Sequence, residues 1–108
     1  MKKHPFNWLN IQRAPDDEHG VYSVWSNNLC IYVGKATEQS LQARLLKHYR
    51  KSHNEKLNAW ISSSTQLCFS FEAMKNIGSI DARERNRIKQ FAPITNKVLL
   101  KKEHQYGN

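Results

Sequence analysis

Val21 to Trp25 and Leu29 to Val33 are two β-branched and aromatic runs separated by Ser26-Asn27-Asn28. That pattern predicts a hairpin. Further on, Leu67, Phe69 and Phe71 alternate with Cys68, Ser70 and Glu72, the period of a third strand with one buried face. The intervening pattern is helical. Ser40 can cap a helix running to about Arg50, and a second helix covers Glu55 to Ile61. Ser79 can cap a last helix that stops before Pro93. Residues 1–19 read as irregular, punctuated by Pro5, Pro15 and Asp16-Asp17-Glu18. Phe6, Trp8 and Leu9 are expected to pin this arm, because exposing three large apolar groups together is unfavourable. The expected organisation is an arm over 1–19, a compact mixed fold over 20–97 and a basic tail over 98–108.

Composition narrows the partners. A chain of 108 residues has room for one core. With 17 Lys and Arg against 9 Asp and Glu, the net charge of +8 favours a polyanion such as nucleic acid. No apolar run approaches the roughly 20 residues of a membrane span, so no membrane role and a cytoplasmic location are expected. Cys30 and Cys68 lie in apolar runs and read as core residues of a reducing compartment. The five histidines show no paired-ligand spacing, which argues against zinc.

The helices carry the candidate chemistry. Arg44 and His48 are four apart and share one helix face, bordering the stripe of Leu41, Leu45 and Tyr49. Either these side chains snorkel from an amphipathic surface helix or they serve a site. On the last helix, Glu84 falls inside the stripe of Ile80, Ile88 and Phe91. Burying a carboxylate there costs several kcal/mol on the order of magnitude unless it is paired or holds a metal. Two readings stand: an internal salt bridge to Arg44, Arg83 or Arg87, or a ligand for a hard cation such as Mg²⁺.

Tyr22 and Tyr32 taken singly read as core aromatics. The glycines beside them change the picture. Gly34 is expected directly after the second strand, where a missing Cβ lets a phosphate or another backbone approach. Lys35 then stands beside that opening as a point charge suited to phosphate.

Gly20-Val21-Tyr22, Tyr32-Val33-Gly34-Lys35, Arg44, His48, Glu84 and Asn96, in that order and with Pro93 before Asn96, resemble the GIY-YIG endonuclease family. Residues 19–97 carry the resemblance. The stretch Ile31 to Ala36 is similar to the nuclease domain of the bacterial excision-repair incision protein, whereas the Arg44/His48 spacing resembles certain restriction enzymes of the family. The departure in the signature is Val21 in place of isoleucine. The resemblance implies an α+β fold with a small three-stranded antiparallel sheet flanked by helices, and divalent-metal-dependent cleavage of DNA. It implies that Glu84 holds Mg²⁺ or Mn²⁺ and that Tyr22 takes a proton from the attacking water. Lys35, Arg44 and the metal would favour the phenolate, or His48 would receive its proton. Tyr32 would position this group or the phosphate, Arg44 would clamp phosphate oxygens, and Asn96 would brace backbone around the site.

Candidate DNA grips are Lys47, Arg50, Lys51 and Lys56, with Lys97, Lys101 and Lys102 in the tail; each equally reads as solvated basic surface. Trp25 and Trp60 could stack on single strands but read better as core. A low-specificity or structure-selective nuclease is the simplest expectation, unless a protein partner or a homodimer supplies sequence readout. Rival readings are a non-catalytic nucleic-acid-binding module, a partner-dependent nuclease subunit, and a small toxin or defence nuclease.

Overall fold

The computed structural model describes residues 1–63 and 65–96. In chain order the elements are β1 (His4–Pro5), α1 (Trp8–Gln12), β2 (His19–Ser26), β3 (Leu29–Ala36), α2 (Leu41–Lys51), α3 (Glu55–Ser62), β4 (Cys68–Met74) and α4 (Ile80–Phe91). A 3₁₀ turn at Ile77–Ser79 precedes α4.

The strands form one antiparallel sheet in the order β1-β4-β2-β3. The expected α+β architecture is present, with a fourth strand added at the edge. That strand and α1 lie in the arm expected to be irregular; two and five residues are too short for a periodic signal. The arm is held differently from expectation. Phe6 packs on the core and Ile11 is fully buried, whereas Trp8 and Leu9 are exposed.

Alternation along the strands builds two cores. Tyr22, Val24, Tyr32 and Phe69 turn to one face, where Ile11, Leu41, Leu45 and Leu57 of the first three helices cover them. Val21, Trp25, Cys30 and Val33 turn to the other, under Ile80, Ile88 and Phe91 of α4. Strand β4 is therefore covered on both sides, a correction to the half-solvated strand expected from its polar alternation. Ser70 is fully buried there and accepts the Trp25 indole N–H at 2.9 Å. Trp25 also packs edge-on against Phe91, and Trp60 packs against the other core, so both tryptophans are packing residues.

Two boundaries differ in a way that matters for the site. Strand β3 runs on through Gly34 and Lys35 to Ala36, and Gly34 lies opposite Tyr22 in the register. Gly34 is thus inside the strand rather than beyond it; pairing with β2 overrides its weak strand preference. At the start of α4, Ser79 makes no side-chain cap. Asn76 caps the preceding 3₁₀ turn instead, through Gly78 N. The helix ends with Ala92 in the left-handed region (φ 47°), before Pro93. Among the described residues, no helix is long and apolar enough to cross a membrane.

Candidate active site

Strand β3 is an edge strand, and part of its free edge is closed by the segment after α4. Ile94 N and Thr95 N donate to the carbonyls of Cys30 and Ile31. Asn96 then makes a two-way amide pair with Val33, accepting its N–H at 2.9 Å and donating to its carbonyl at 2.8 Å. Asn96 is therefore a brace on β3 that stands outside the cleft wall. Beyond it a polar cleft of about 550 Å³ opens between α2 and α4, lined by Tyr32, Lys35, Thr37, Glu38, Gln39, Arg44, Lys47 and Glu84.

The two tyrosines separate by depth. Tyr32 reaches the cleft wall, while Tyr22 is wholly inaccessible behind it. A Cβ on Gly34 would collide with the Tyr22 hydroxyl and the Tyr32 ring. The glycine thus makes room for the site's own phenols, in place of the close phosphate approach expected of it. Burial pushes both phenols up from their ordinary range; each also feels the other or Glu84, and Arg44 pulls against the rise.

The helical spacing of Arg44 and His48 turns both inward. The Tyr22 hydroxyl lies 2.7 Å from His48 Nε2, and His48 Nδ1 lies 2.8 Å from Ser52 Oγ. His48 is buried, and burial first, then Arg44, His53 and Lys47, hold it down to about 3. It is a neutral imidazole at physiological pH. Arg44 lies on the cleft wall with its Nε buried and, among the described residues, without a hydrogen-bond partner. A buried guanidinium N–H left open is costly, and an anionic oxygen is its natural complement.

Glu84 enters from the opposite wall, partly buried as its helical position predicted. Two of the arginines that could have neutralised it are engaged elsewhere: Arg83 and Arg87 both bind Glu72 on β4, at 2.8 and 2.7 Å. Among the described residues Glu84 has no ion-pair partner within 4.0 Å. Burial raises its carboxyl, Lys35 opposes that rise, and Asp81 adds to it. Lys35 itself is ion-paired to Asp81, one turn before Glu84, and this pair raises Lys35 and lowers Asp81.

Of the expected DNA grips, Lys47 lines the cleft, whereas Arg50, Lys51 and Lys56 are exposed and lie off it. Lys97 and the other tail lysines lie outside the described residues. Sequence reasoning missed Thr37, Glu38 and Gln39, although their position just after the tyrosine-glycine-lysine run and before the Ser40 cap marked them as rim residues. It also missed Asp81 and Ser52, which one polar position in a helical pattern cannot reveal.

No protein-family model matches the sequence, and no curated protein matches it either. Solved structures do. The GIY-YIG N-terminal endonuclease domain of UvrC from Thermotoga maritima, bound to its catalytic divalent cation, magnesium, is 28% identical. It aligns with a TM-score of 0.62 over 83% of this chain and 99% of that one. A tyrosine-to-phenylalanine point mutant of the same domain, also with its catalytic divalent cation, is 29% identical; its TM-score is 0.64, over 82% and 91% of the two chains. The sheet and the flanking helices match the fold of these structures: the chain carries the GIY-YIG nuclease fold, and its similarity to cation-bound endonuclease domains supports a metal-dependent nuclease.

Proposed function

We propose that this protein is a divalent-metal-dependent endonuclease that hydrolyses phosphodiester bonds in DNA. One observation carries the reading: Glu84, a carboxylate with no ion-pair partner among the described residues, faces a wall holding Arg44, whose buried Nε has no hydrogen-bond partner among them either. A structural salt bridge would have joined such groups to protein partners, as happens at Glu72.

The residues fit a hard cation. Magnesium is typically held by one or two carboxylates, with waters and substrate phosphate completing the shell. Glu84 supplies such a ligand, and no cluster of three metal-binding side chains occurs among the described residues. The divalent cation in the relatives, magnesium in one of them, supports the same choice, with Mn²⁺ as a substitute. When bound, the ion would stabilise charge on a non-bridging oxygen of the scissile phosphate.

The chain's own groups do the rest. Arg44 donates its fork to phosphate oxygens, and Lys47 adds charge at the rim. Lys35 exchanges Asp81 for phosphate, a swap of one exposed ion pair for another at little cost. Tyr32 meets the attacking water at the cleft wall. Tyr22, behind it, lies 2.7 Å from His48 Nε2, and Arg44 beside it favours its oxygen as the acceptor of a proton from the water side. Asn96 and Gly34 hold β3 in the geometry that brings the phenols together.

Phosphate contacts carry no base information, so low-specificity or structure-selective cleavage is the expectation unless a partner or second copy reads the sequence. The test is a cleavage panel of supercoiled plasmid, single-stranded, branched and flapped DNA, and RNA, with Mg²⁺, Mn²⁺ or EDTA. Metal-dependent nicking that disappears in Glu84→Gln supports the reading. Metal-independent binding without cleavage would make the protein a binding module instead.

A further inference from the structure

A second cavity lies at the far edge of the sheet from the cleft. Strand β1 pairs with β4 for two residues, His4 opposite Phe69 and Pro5 opposite Cys68. Past Phe69, β4 has no ladder partner on that side among the described residues. A space of about 280 Å³ opens there, lined by Lys2, His4, Asn10, Arg13, Phe69 and Phe71. None of these residues lines the cleft.

The wall of the cavity is aromatic. The His4 and Phe71 rings stack at 5.9 Å and 20°, and Phe71 stacks on Phe69 at 6.4 Å and 22°. Phe69 is buried behind the other two, which are partly exposed. The rim is cationic. Lys2 and Arg13 are exposed, and neither has an ion-pair partner within 4.0 Å among the described residues. Asn10 Nδ2 donates to the Pro5 carbonyl at 3.0 Å, which fixes the amide and leaves its oxygen as an acceptor.

These features together define a ligand. Nearly coplanar rings offer a π-face to a flat group, the two cations offer charge to an anion, and the volume lies just below the roughly 300–1,000 Å³ of drug-sized pockets. We propose that this cavity binds one unpaired nucleotide of single-stranded DNA, with its base against Phe71 and His4 and its flanking phosphates on Lys2 and Arg13. In a duplex both faces of a base are covered by its neighbours, so only an unpaired strand can use the rings. An acidic peptide would meet the cations but not the π-faces. Strands β4 and β3 lie two strand spacings apart, about 10 Å, with β2 between them. A strand held at this edge is therefore kept close to the cleft at the other.

The consequence for cleavage, a preference for single-stranded or flapped DNA over duplex, rests on the nuclease reading; the binding does not. Binding is measured on the full chain in EDTA, by anisotropy of labelled oligo(dT), an abasic strand of equal length and a duplex. Oligo(dT) should bind about fivefold to a hundredfold more tightly than the abasic strand, the worth of one stacked base. Phe71→Leu, which stays apolar but loses the ring, should remove most of that margin. Lys2→Gln combined with Arg13→Gln should weaken both single strands and lower the log–log salt slope by about 1.4. Amide ¹H–¹⁵N spectra of the wild type should shift at residues 2–4, 10–13 and 69–71 when oligo(dT) is added. Shifts confined to the cleft overturn the proposal, and this result decides even where Phe71→Leu fails to fold. Abasic or duplex binding as tight as oligo(dT), or an unchanged margin in folded Phe71→Leu, overturns it as well. A chain that binds oligo(dT) at these residues yet cuts nothing upholds the site and defeats the nuclease reading alone.

Discussion

Glu72 and Glu84 sit near the same helix in opposite circumstances. Over β4, Glu72 receives both Arg83 and Arg87, and Arg87 first among them holds its carboxyl below the usual range. At the edge of β3, Glu84 is left without a cation partner among the described residues, and burial raises its carboxyl. A carboxylate that serves the fold is neutralised within it, whereas one that serves a ligand keeps its charge open. Two faces of α4 thus differ: Arg83 and Arg87 turn to Glu72, and Glu84 turns to the cleft.

The sharpest way to break that contrast is to neutralise each carboxylate in turn. Glu84→Gln should abolish plasmid nicking, by about 10³-fold or more, because it removes the group aimed at developing charge. Its Tm should hold or rise, since an unpaired, partly buried charge is gone. Glu72→Gln should do the reverse, keeping cleavage while losing about 1–3 kcal/mol of stability in urea titrations. Equal loss of activity in the two variants would erase the distinction.

Tyr22→Phe comes next. It keeps the packing but removes the hydroxyl, and single-turnover cleavage should slow by about 10²-fold or more. Unchanged turnover would take Tyr22 out of the proton path.

The third effect is on stability alone. His48 is held down to about 3 in the folded chain, against an ordinary value of 6.5. Between those values the unfolded state binds the extra proton, so stability rises with pH across that window and falls as the solution is acidified through it. The slope should reach at most about 1.4 kcal/mol per pH unit. Urea midpoints from pH 7 to 3 should show this dependence, and His48→Gln should flatten it. The smallest change is Asp81→Asn. It frees Lys35 from a solvent-exposed ion pair, so cleavage should change by only a few-fold, through KM and most visibly at low salt.

Much of this arrangement was legible in the residues. Alternation of Phe69 and Phe71 with Ser70 and Glu72 marked β4, and the 3.6-residue period put Glu84 in an apolar stripe and Arg44 on one face with His48. Local periodicity carries such information because each element's faces follow from its own backbone. The phenols' depths were not legible, since Tyr22 and Tyr32 look alike along the chain. Only the sheet order, with β2 inside and β3 at the edge, buries one and brings the other to the cleft. Nor could spacing reveal that Arg83 and Arg87 would turn to Glu72, a residue of another element.

The sequence by itself determined the types of the three longer strands and of the helices that follow them, the basic balance and the ordered set of tyrosine, lysine, arginine, histidine, glutamate and asparagine. Those are properties of local pattern and composition. Tertiary structure alone decided that Gly34 shelters a tyrosine hydroxyl, that His48 is neutral and that Arg83 and Arg87 turn to Glu72 instead of Glu84. Each of these depends on which residues meet across strands and helices, and burial among those neighbours sets the charge state.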